Sequence, residues 1–358
     1  MKMFLSALSR VYAWLARTER HFFKAAPFLV ERPQAYVISI GNLSVGGTGK
    51  TPFLFELLSD PALPANRVVL TRGYRSPWER GFYLLHGPGP HPSGLTDEAR
   101  LLASLFPATP VLVGKNRAHS ARLAERWFKP DVMLLDDGFQ YRRLKRDADI
   151  VLWDALMPKE NARPLPLGRL REEPERLRDA HLIAMTRCEL ASDEQKEYWH
   201  EWLGHTAPGV PILEMITTPS GWIDPQGNRH PLGSGPERVL AFAAIAKPES
   251  FAAQLVASGR SVAAIHGFRD HDNFSGERLS EISNAAKDLG VLPVCTTKDR
   301  IKIPARQAAE YGIWTLEIRM KPVSGESLGL ALHRHGLAIF QPPATRNGAQ
   351  TSSLRSAE

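Results

Sequence analysis

Short apolar runs alternate along the chain with longer segments in which hydrophobic residues recur every three or four positions. The apolar runs predict strands at 36–40, 67–71, 111–113, 131–137, 150–153, 182–185, 239–242, 261–265 and 292–296. The segments with helical spacing predict helices at 98–105, 118–127, 249–257 and 277–288. Strands that are apolar along their whole length are typical of a parallel sheet covered by helices on both faces. The pattern therefore predicts an α/β fold with its functional residues at the carboxyl ends of the strands.

The alternation is interrupted between residues 157 and 178, where Pro, Arg and Glu are frequent. A chain of 358 residues has room for about two domains, so this interruption predicts a domain junction. The α/β rhythm resumes after it without an internal repeat. The final stretch, 345–358, is polar and is predicted to be a disordered tail.

The first residues, 1–24, form a separate pattern in which apolar side chains at helical spacing are surrounded by basic ones. The apolar residues are Phe4, Leu8, Val11, Tyr12 and Leu15, with Trp14 nearby, and the basic ones are Lys2, Arg10, Arg17, Arg20 and Lys24. Such a basic amphipathic helix either lies in a membrane interface or packs against its own domain, and the pattern alone leaves both open. Charges interrupt the apolar region, which disfavours a signal peptide.

A glycine-rich segment follows the first predicted strand directly. It comprises Ser44, Val45, Gly46, Gly47, Thr48, Gly49, Lys50 and Thr51. The order of strand, glycine turn and Gly-Lys-Thr is that of a phosphate-binding loop, although Ser44 stands where the consensus has a glycine. In such a loop the backbone amides surround the phosphates, Lys50 reaches the β and γ oxygens, and Thr51 offers its hydroxyl to Mg²⁺. The segment predicts that the chain binds ATP or GTP.

Acidic residues at other strand ends predict the rest of a phosphoryl-transfer site. Asp136 and Asp137 end an apolar strand, where a carboxylate can hold Mg²⁺ opposite Thr51. Glu172 lies among arginines in the junction and is a further candidate for the metal. Asp97 and His271 are candidates for the base that accepts a proton from an attacking hydroxyl, but their spacing does not show whether they meet.

Composition narrows the class of protein. The net charge of +7 favours anionic partners, but no basic sheet with interleaved aromatic residues and no recognition helix indicates nucleic-acid binding. Cys188 and Cys295 are far apart and fit no metal spacing, which is typical of buried thiols in a reducing compartment. No apolar stretch approaches the ~18 residues that a membrane span needs.

Several blocks together resemble the tetraacyldisaccharide 4′-kinase family. The blocks are Ile40-Gly41-Asn42-Leu43 with the loop to Lys50-Thr51-Pro52, Thr71-Arg72-Gly73-Tyr74, Thr96-Asp97-Glu98, Leu135-Asp136-Asp137-Gly138-Phe139-Gln140, Arg142-Arg143-Leu144, Pro166-Leu167-Gly168-Arg169-Leu170-Arg171-Glu172, Ala241-Phe242-Ala243, Phe268 with Asp270-His271, and Thr297-Lys298-Asp299. They follow the family order from about residue 36 to 300. Three of these blocks are the most specific to the family. They are the Gly-Asn before the loop, the Lys-Thr-Pro at its end and the Asp-Asp-Gly-Phe-Gln block.

The resemblance implies a fold of two α/β/α sandwich domains, the first a phosphate-loop NTPase-like parallel sheet, joined by a short linker with the nucleotide between them. It places the nucleotide-binding domain at 25–155, completed by a segment near 325–343, and the second domain at 156–324, after an amphipathic membrane-surface helix at 1–24. We expect a monomer bound peripherally to the cytoplasmic face of the bacterial inner membrane.

The implied reaction transfers the γ-phosphoryl group of ATP, with Mg²⁺, to the 4′-hydroxyl of an acylated disaccharide 1-phosphate in lipid A biosynthesis. Asp97 with His271 would act as the base at the sugar hydroxyl, beside Lys50. Thr51, Asp136, Asp137 and Glu172 would surround the metal. Asn42, Tyr74, Gln140 and Arg171 would contact the substrate.

Two departures from the family pattern bear on substrate contacts. Tyr141 stands where such chains often have histidine, and Asp272 replaces a second histidine after His271. Two other classes of function stay open from the residues alone. One is another phosphate-loop enzyme of cofactor metabolism, and the other is a non-catalytic nucleotide-binding adaptor at the membrane. A GTPase would need an Asn-Lys-x-Asp motif, which the sequence around Lys298 matches only loosely.

Overall fold

Thirteen strands form one mostly parallel sheet in the computed structural model of this protein, which describes residues 2–74, 76–87, 92, 94–245, 247–269 and 272–340. The strands are β1 (Tyr36–Asn42), β2 (Arg67–Thr71), β3 (Tyr83–Leu85), β4 (Val111–Val113), β5 (Val132–Asp136), β6 (Ala148–Asp154), β7 (Leu182–Thr186), β8 (Ile212–Ile223), β9 (Arg229–Pro231), β10 (Arg238–Ala243), β11 (Ser261–Gly267), β12 (Leu292–Thr296) and β13 (Trp314–Pro322). Their order across the sheet is β11-β10-β12-β13-β8-β7-β6-β1-β5-β2-β4-β3, and β9 pairs with β8.

Helices cover both faces of this sheet. They are α1 (Lys2–Ala25), α2 (Lys50–Ser59), α3 (Asp97–Leu105), α4 (Arg117–Phe128), α5 (Asp193–Thr206), α6 (Pro248–Ala257), α7 (Gly276–Asp288), α8 (Thr297–Arg300), α9 (Ala305–Glu310) and α10 (Leu328–Arg334). Ile38 of β1 belongs to a core shared with Phe53 of α2, whereas its neighbour Val37 belongs to the opposite core with Ala121 of α4. Successive residues of one strand thus face different cores, which favours apolar residues on both faces of the strand. The predicted α/β fold is confirmed.

β8 joins the two halves of the sheet. Its first residues pair in parallel with β7, beginning with Ile212 beside Ile183. Its later residues pair antiparallel with β13, as far as Ile223 beside Thr315. The two predicted domains therefore share one continuous sheet, and a boundary between residues 155 and 156 stays a prediction.

The apolar runs did not predict β3, β8, β9 or β13. The burial of β13 is uneven, because Arg319 and Lys321 are exposed while Met320 between them is buried. β8 carries Pro219 and adjacent threonines. Strands with one exposed face lack the continuous hydrophobic run by which the central strands were found. The predicted tail at 345–358 lies outside the described residues.

The C-terminal segment returns to the first half of the sheet. Leu328 and Leu332 of α10, with Phe340 after it, pack in the same core as Phe53 and Leu57 of α2. This packing involves the described part of the segment near 325–343, whose assignment to the nucleotide-binding domain stays a prediction.

α1 lies across the junction and keeps much of its apolar surface in solvent. Ser9 donates from Oγ to the Pro164 carbonyl at 3.1 Å, and Arg17 pairs with Glu173. On its other side Val11 and Trp14 are 53% and 60% exposed. None of the described helices is long and apolar enough to cross a membrane. The helix is therefore held by polar contacts while an apolar face stays uncovered.

The contact between α2 and α10 yields a stability prediction. Asp60 is buried, and its carboxylate accepts from the Gly329 amide at 2.6 Å and from the Ala62 amide at 2.9 Å. Asp60→Ala leaves these amides without an acceptor, which we expect to lower the free energy of unfolding by about 1–3 kcal/mol. The measurement is urea denaturation followed by circular dichroism.

Asp288→Ala is the matched control, because Asp288 is an exposed carboxylate at the end of α7. We expect its effect to stay within about 0.5 kcal/mol. Equal effects of the two substitutions would show that the Asp60 contact does not hold α10 in place.

Candidate active site

The phosphate loop has the backbone geometry that its glycines predicted. β1 ends at Asn42 and α2 begins at Lys50, with the intervening turn passing through positive φ at Gly46 (113°) and Gly49 (86°). Such values favour glycine strongly over residues with a Cβ. Gly49 also directly precedes the first turn of α2, so the amino end of this helix points at the loop. Backbone amides and the helix dipole together favour an anion at this position.

Residues from the junction between β6 and β7 and from the end of β7 hold the loop in place. The Val45 amide donates to the Arg169 carbonyl, and the Arg171 amide donates to the Leu43 carbonyl, both at 2.8 Å. Thr186 Oγ1, at the end of β7, donates to the Thr48 carbonyl at 2.9 Å. These bonds fix the orientation of the peptide groups before any ligand binds, which lowers the entropic cost of binding a phosphate.

A closed series of polar contacts surrounds the Lys50 ammonium group. Lys50 Nζ donates to Asn42 Oδ1 at 3.1 Å and lies 3.4 Å from Asp137 Oδ1. Asp137 accepts from Arg171 Nη1 at 3.0 and 3.1 Å, and the same nitrogen donates to Gln140 Oε1 at 3.2 Å. Gln140 Nε2 then donates to the Asn42 carbonyl at 2.8 Å. The structure thus brings together five predicted residues from three segments of the chain.

The two adjacent carboxylates at the end of β5 have opposite pKa shifts. Burial and the neighbouring charge of Asp137 raise the pKa of Asp136 to about 6, although Asp136 accepts a hydrogen bond from Thr71 Oγ1 at 3.0 Å. Burial also opposes ionisation of Asp137, but Lys50 and Arg171 outweigh it and lower the pKa of Asp137. The negative charge of Asp137 is therefore balanced by nearby cations, whereas that of Asp136 is balanced only in part.

A divalent cation fits this pair of carboxylates. Among the described residues no group of three or more His, Cys, Asp or Glu side chains is arranged to hold a metal by itself. Mg²⁺ is commonly held by one or two carboxylates together with substrate phosphates and water, so a larger cluster is not needed. The partly compensated charge of Asp136 and the Thr51 hydroxyl, which line the same cavity, supply suitable oxygen ligands.

Glu172 is buried and lies between two arginines. Its Oε2 is 2.7 Å from Arg142 Nη2 and 3.7 Å from Arg176 Nε, while Oε1 has no hydrogen-bond partner. Arg142 also donates to the Ala16 carbonyl of α1 at 3.4 Å. The structure therefore connects Glu172 to α1, and its predicted contact with a metal stays a prediction.

Asp97 is the first residue of α3, whose N-cap is Thr96. Its Oδ2 lies 3.5 Å from the ammonium nitrogen of Lys302. His271, the other predicted member of the base, lies outside the described residues. The proposed meeting of Asp97 and His271 therefore stays a prediction.

These groups line one large cavity. Its volume is about 2360 Å³, and its walls include the phosphate loop, Asp97, both carboxylates of β5 and Arg171. Tyr12 and Leu15 of α1 lie at its edge. Burial and the charge of Glu172 raise the pKa of Tyr12, which shows how closely α1 approaches the acidic groups. Tyr74, another predicted contact, also lines the cavity and lies under the Arg72 guanidinium.

Several cationic residues of this cavity were not predicted as site residues, among them Arg117 and Arg187. Arg117 is buried with its guanidinium 4.1 Å from the centre of the Tyr141 ring. Arg187 donates to the Gly47 carbonyl at 2.8 Å and pairs with Asp154. Arg187 directly follows β7, and Arg117 follows β4 by a few residues. The rule that functional residues lie at the carboxyl ends of strands would have found both.

Comparisons with known proteins agree on one family. A family model described as tetraacyldisaccharide-1-P 4′-kinase matches residues 1–335. The chain is 34% identical over 310 residues to the tetraacyldisaccharide 4′-kinase of Geobacter metallireducens, covering 84% of this chain and 88% of the relative. It is 35% identical over 313 residues to that of Anaeromyxobacter sp. strain Fw109-5, covering 83% of each.

A solved structure is similar over nearly the whole fold. It is the "apo" form of LpxK from Aquifex aeolicus in complex with ATP. The TM-score is 0.68 at 25% sequence identity, and the match covers 94% of this chain and 98% of that one.

The raised pKa of Asp136 predicts how stability depends on pH in the metal-free protein. The folded-state pKa of about 6 exceeds the value of about 3.9 for an unfolded chain, so the neutral form of Asp136 favours folding. This contribution is complete below the unfolded value and is lost as the pH rises through about 6. We expect Asp136→Asn to become more stable than wild type as the pH rises from 4 to 8, by at most about 3 kcal/mol.

The measurement is chemical denaturation across this pH range in the presence of EDTA. Asp193→Asn is the control of opposite sign, because a hydrogen bond with Lys196 lowers the pKa of the exposed Asp193. Asp193→Asn should therefore lower the stability of the protein at higher pH, where Asp193 is ionised. This difference from wild type should disappear as the pH falls and Asp193 becomes protonated. A constant difference between wild type and Asp136→Asn at every pH would contradict the assignment.

Proposed function

The chain belongs to the tetraacyldisaccharide-1-P 4′-kinase family and is an ATP-dependent kinase of lipid A biosynthesis, and we propose that the cavity beside the phosphate loop is where phosphoryl transfer takes place. The reaction moves the γ-phosphoryl group of ATP to the 4′-hydroxyl of the acylated disaccharide 1-phosphate. One observation supports this location above others. Lys50, Asp137 and Asp97 all line the same cavity.

The phosphate loop would bind the triphosphate. Its peptide groups are already oriented, and Lys50 lies between Asn42 and Asp137 at its base. A triphosphate entering the loop would draw the Lys50 ammonium towards the β and γ oxygens, where its charge stabilises the transition state. Mg²⁺ would be held by Thr51 with Asp136 or Asp137, and when bound it would neutralise charge on the phosphate oxygens.

Arg171 would act beside Lys50 on the same charge. Its guanidinium is held by Asp137 and Gln140, so it is already positioned when substrate binds. In this arrangement Asn42 and Gln140 would position the two cations, and Tyr74 would contact the sugar. Positioned cations stabilise developing negative charge without reorganisation during the reaction.

Asp97 would act on the acceptor hydroxyl. It lies at the start of α3 on the cavity wall, where a carboxylate with His271 could take the 4′-hydroxyl proton as oxygen attacks phosphorus. The proton passes to this pair, and ADP leaves with the β–γ bridging oxygen.

α1 would bring the cavity to the lipid substrate. Its exposed apolar side chains and flanking cations suit an anionic membrane surface, while Tyr12 and Leu15 reach the cavity edge. A lipid whose acyl chains stay in the bilayer could thus present its sugar to the site. We propose a monomer bound peripherally at the cytoplasmic face of the inner membrane.

Phosphate transfer to the lipid tests the assigned roles. The assay follows ³²P from γ-labelled ATP to detergent-solubilised disaccharide 1-phosphate. We expect Lys50→Ala to lose about 10²–10³-fold in kcat, because the transferred phosphoryl group loses a cation. Asp97→Asn should lose about 10²–10⁴-fold in kcat with ATP affinity nearly unchanged.

Lys196→Ala is the control, since Lys196 lies on the outer surface of α5 and pairs only with an exposed acid among the described contacts. Its activity should stay within about twofold of wild type. Equal loss of turnover and of ATP affinity in Asp97→Asn would count against a role in proton transfer. ATP binding without any labelled lipid in wild type would favour the adaptor or another acceptor.

The membrane role of α1 has a separate test. Val11→Glu places a charge on the exposed apolar face of α1, where Val11 is 53% exposed. We expect about a tenfold or greater loss of sedimentation with vesicles containing phosphatidylglycerol, because a carboxylate opposes insertion among anionic lipids. Val256→Glu is the matched control, since Val256 is 61% exposed on α6. Equal losses in the two variants would contradict a specific role of α1.

A further inference from the structure

A lysine outside the established motifs has its charged end buried beneath Asp97. Lys302 lies between α8 and α9, and its side chain is 1% exposed. Its ammonium nitrogen is 3.5 Å from Asp97 Oδ2, 3.1 Å from Asp299 Oδ1 and 3.2 Å from the Asp272 carbonyl oxygen. A buried ammonium group is costly unless anionic and polar partners surround it, so this position is specified by its contacts.

The position of this ammonium group is set by the second half of the sheet. Asp299 is fully buried and accepts from the Ala244 amide at 3.2 Å and from Thr296 Oγ1 at 2.8 Å. These partners lie at the carboxyl ends of β10 and β12. Asp299 therefore connects the end of the sheet to Lys302, and Lys302 connects it to Asp97 at the start of α3.

We infer that Lys302 is a positioning residue that holds the Asp97 carboxylate in place and in its ionised form for phosphoryl transfer. Asp97 lines the cavity, whereas Lys302 is not among the described residues that do so. Lys302 therefore acts through Asp97 and does not touch the substrate. The same ammonium group also donates to the Asp272 carbonyl oxygen, so Lys302 contacts both Asp97 and the loop at Asp272. The inference rests on the proposed role of Asp97.

Other charged groups line the same cavity as Asp97, and some disfavour the ionisation of Asp97 while others favour it. Glu98 on α3 and the carboxylates of Asp136 and Asp137 disfavour its ionisation, whereas Lys50 and Lys298 favour it. The charged end of Lys302 is buried and lies 3.5 Å from Asp97 Oδ2. A buried pair is screened less by water and salt than a pair exposed in the cavity.

The pH dependence of kcat/KM separates this role from simple stabilisation. Lys302→Met removes the cation and keeps much of the side-chain volume. With saturating ATP and varied lipid acceptor, we expect the acidic limb of the profile to move about one pH unit upward, because the pair containing Asp97 becomes harder to ionise. The loss of kcat/KM would then be about tenfold greater at pH 6 than at pH 9. Lys302→Arg keeps the charge and should leave the limb near its wild-type position.

A second variant covers the case in which Lys302→Met does not fold, since it leaves Asp299 buried without its cation. The double variant Asp299→Asn with Lys302→Met removes both of these buried charges, so Asp299 is no longer left buried and ionised without its cation. Its acidic limb should be displaced in the same direction. Arg278→Met is the control, because Arg278 holds the same loop through the Asp272 carboxylate without a described contact to Asp97. Its limb should stay in place.

The outcomes distinguish the inference from the proposed function. A uniform loss of activity at every pH, with the limb unmoved in both Lys302→Met and the double variant, would show a structural role alone and overturn the inference. An equal displacement of the acidic limb in Arg278→Met would assign the change in pH profile to the loop at Asp272. This result would also overturn the inference. Asp97→Asn is measured in parallel, and full turnover in that variant would overturn both the inference and the proposed role of Asp97.

Discussion

The site depends on how the structure balances two adjacent carboxylates at the end of one strand. Asp136 and Asp137 cannot both be buried and ionised without nearby cations, and the fold provides Lys50 and Arg171 on the Asp137 side. The result is one carboxylate with a lowered pKa and one with a raised pKa. This asymmetry leaves Asp136 suited to a divalent cation, and it holds the lysine of the phosphate loop close to where phosphate would bind.

The balance of charge at these two carboxylates also depends on the junction segment between β6 and β7. This segment supplies Arg171 to the carboxylates and backbone groups to the phosphate loop, through the Arg169 carbonyl and the Arg171 amide. It also supplies Glu172, which pairs with Arg142 beside α1. A segment with little regular structure thus contacts the nucleotide loop, the acidic strand end and the amphipathic helix. In a kinase with a lipid acceptor, this arrangement places the proposed membrane surface next to the proposed site of transfer.

The second half of the sheet has a different part in the site. It contributes Asp299 and Lys302. The buried ammonium group of Lys302 contacts both Asp299 and Asp97 and thereby holds the Asp97 carboxylate in place. The two halves meet through the antiparallel pairing of β8 with β13, so the position of Lys302 relative to Asp97 depends on a sheet that runs through both. A continuous hydrogen-bonded sheet allows less relative movement than a flexible linker would, which suits a site assembled from both halves.

The sequence by itself determined the α/β fold, the phosphate loop and the position of the two acids, because each is encoded by residues that are neighbours in the chain. Strand, glycine turn and lysine must follow one another for the loop to form, and an apolar run followed by Asp136 and Asp137 must end at the same edge of the sheet. Strands with one exposed face, such as β13, escaped detection because their pattern lacks a continuous apolar run. Only the tertiary structure decided that Arg171 meets Asp137, that Glu172 faces two arginines and that Lys302 lies under Asp97. Those contacts depend on which strand ends lie side by side, and strand order in a sheet is set by packing across the whole chain, not by local spacing.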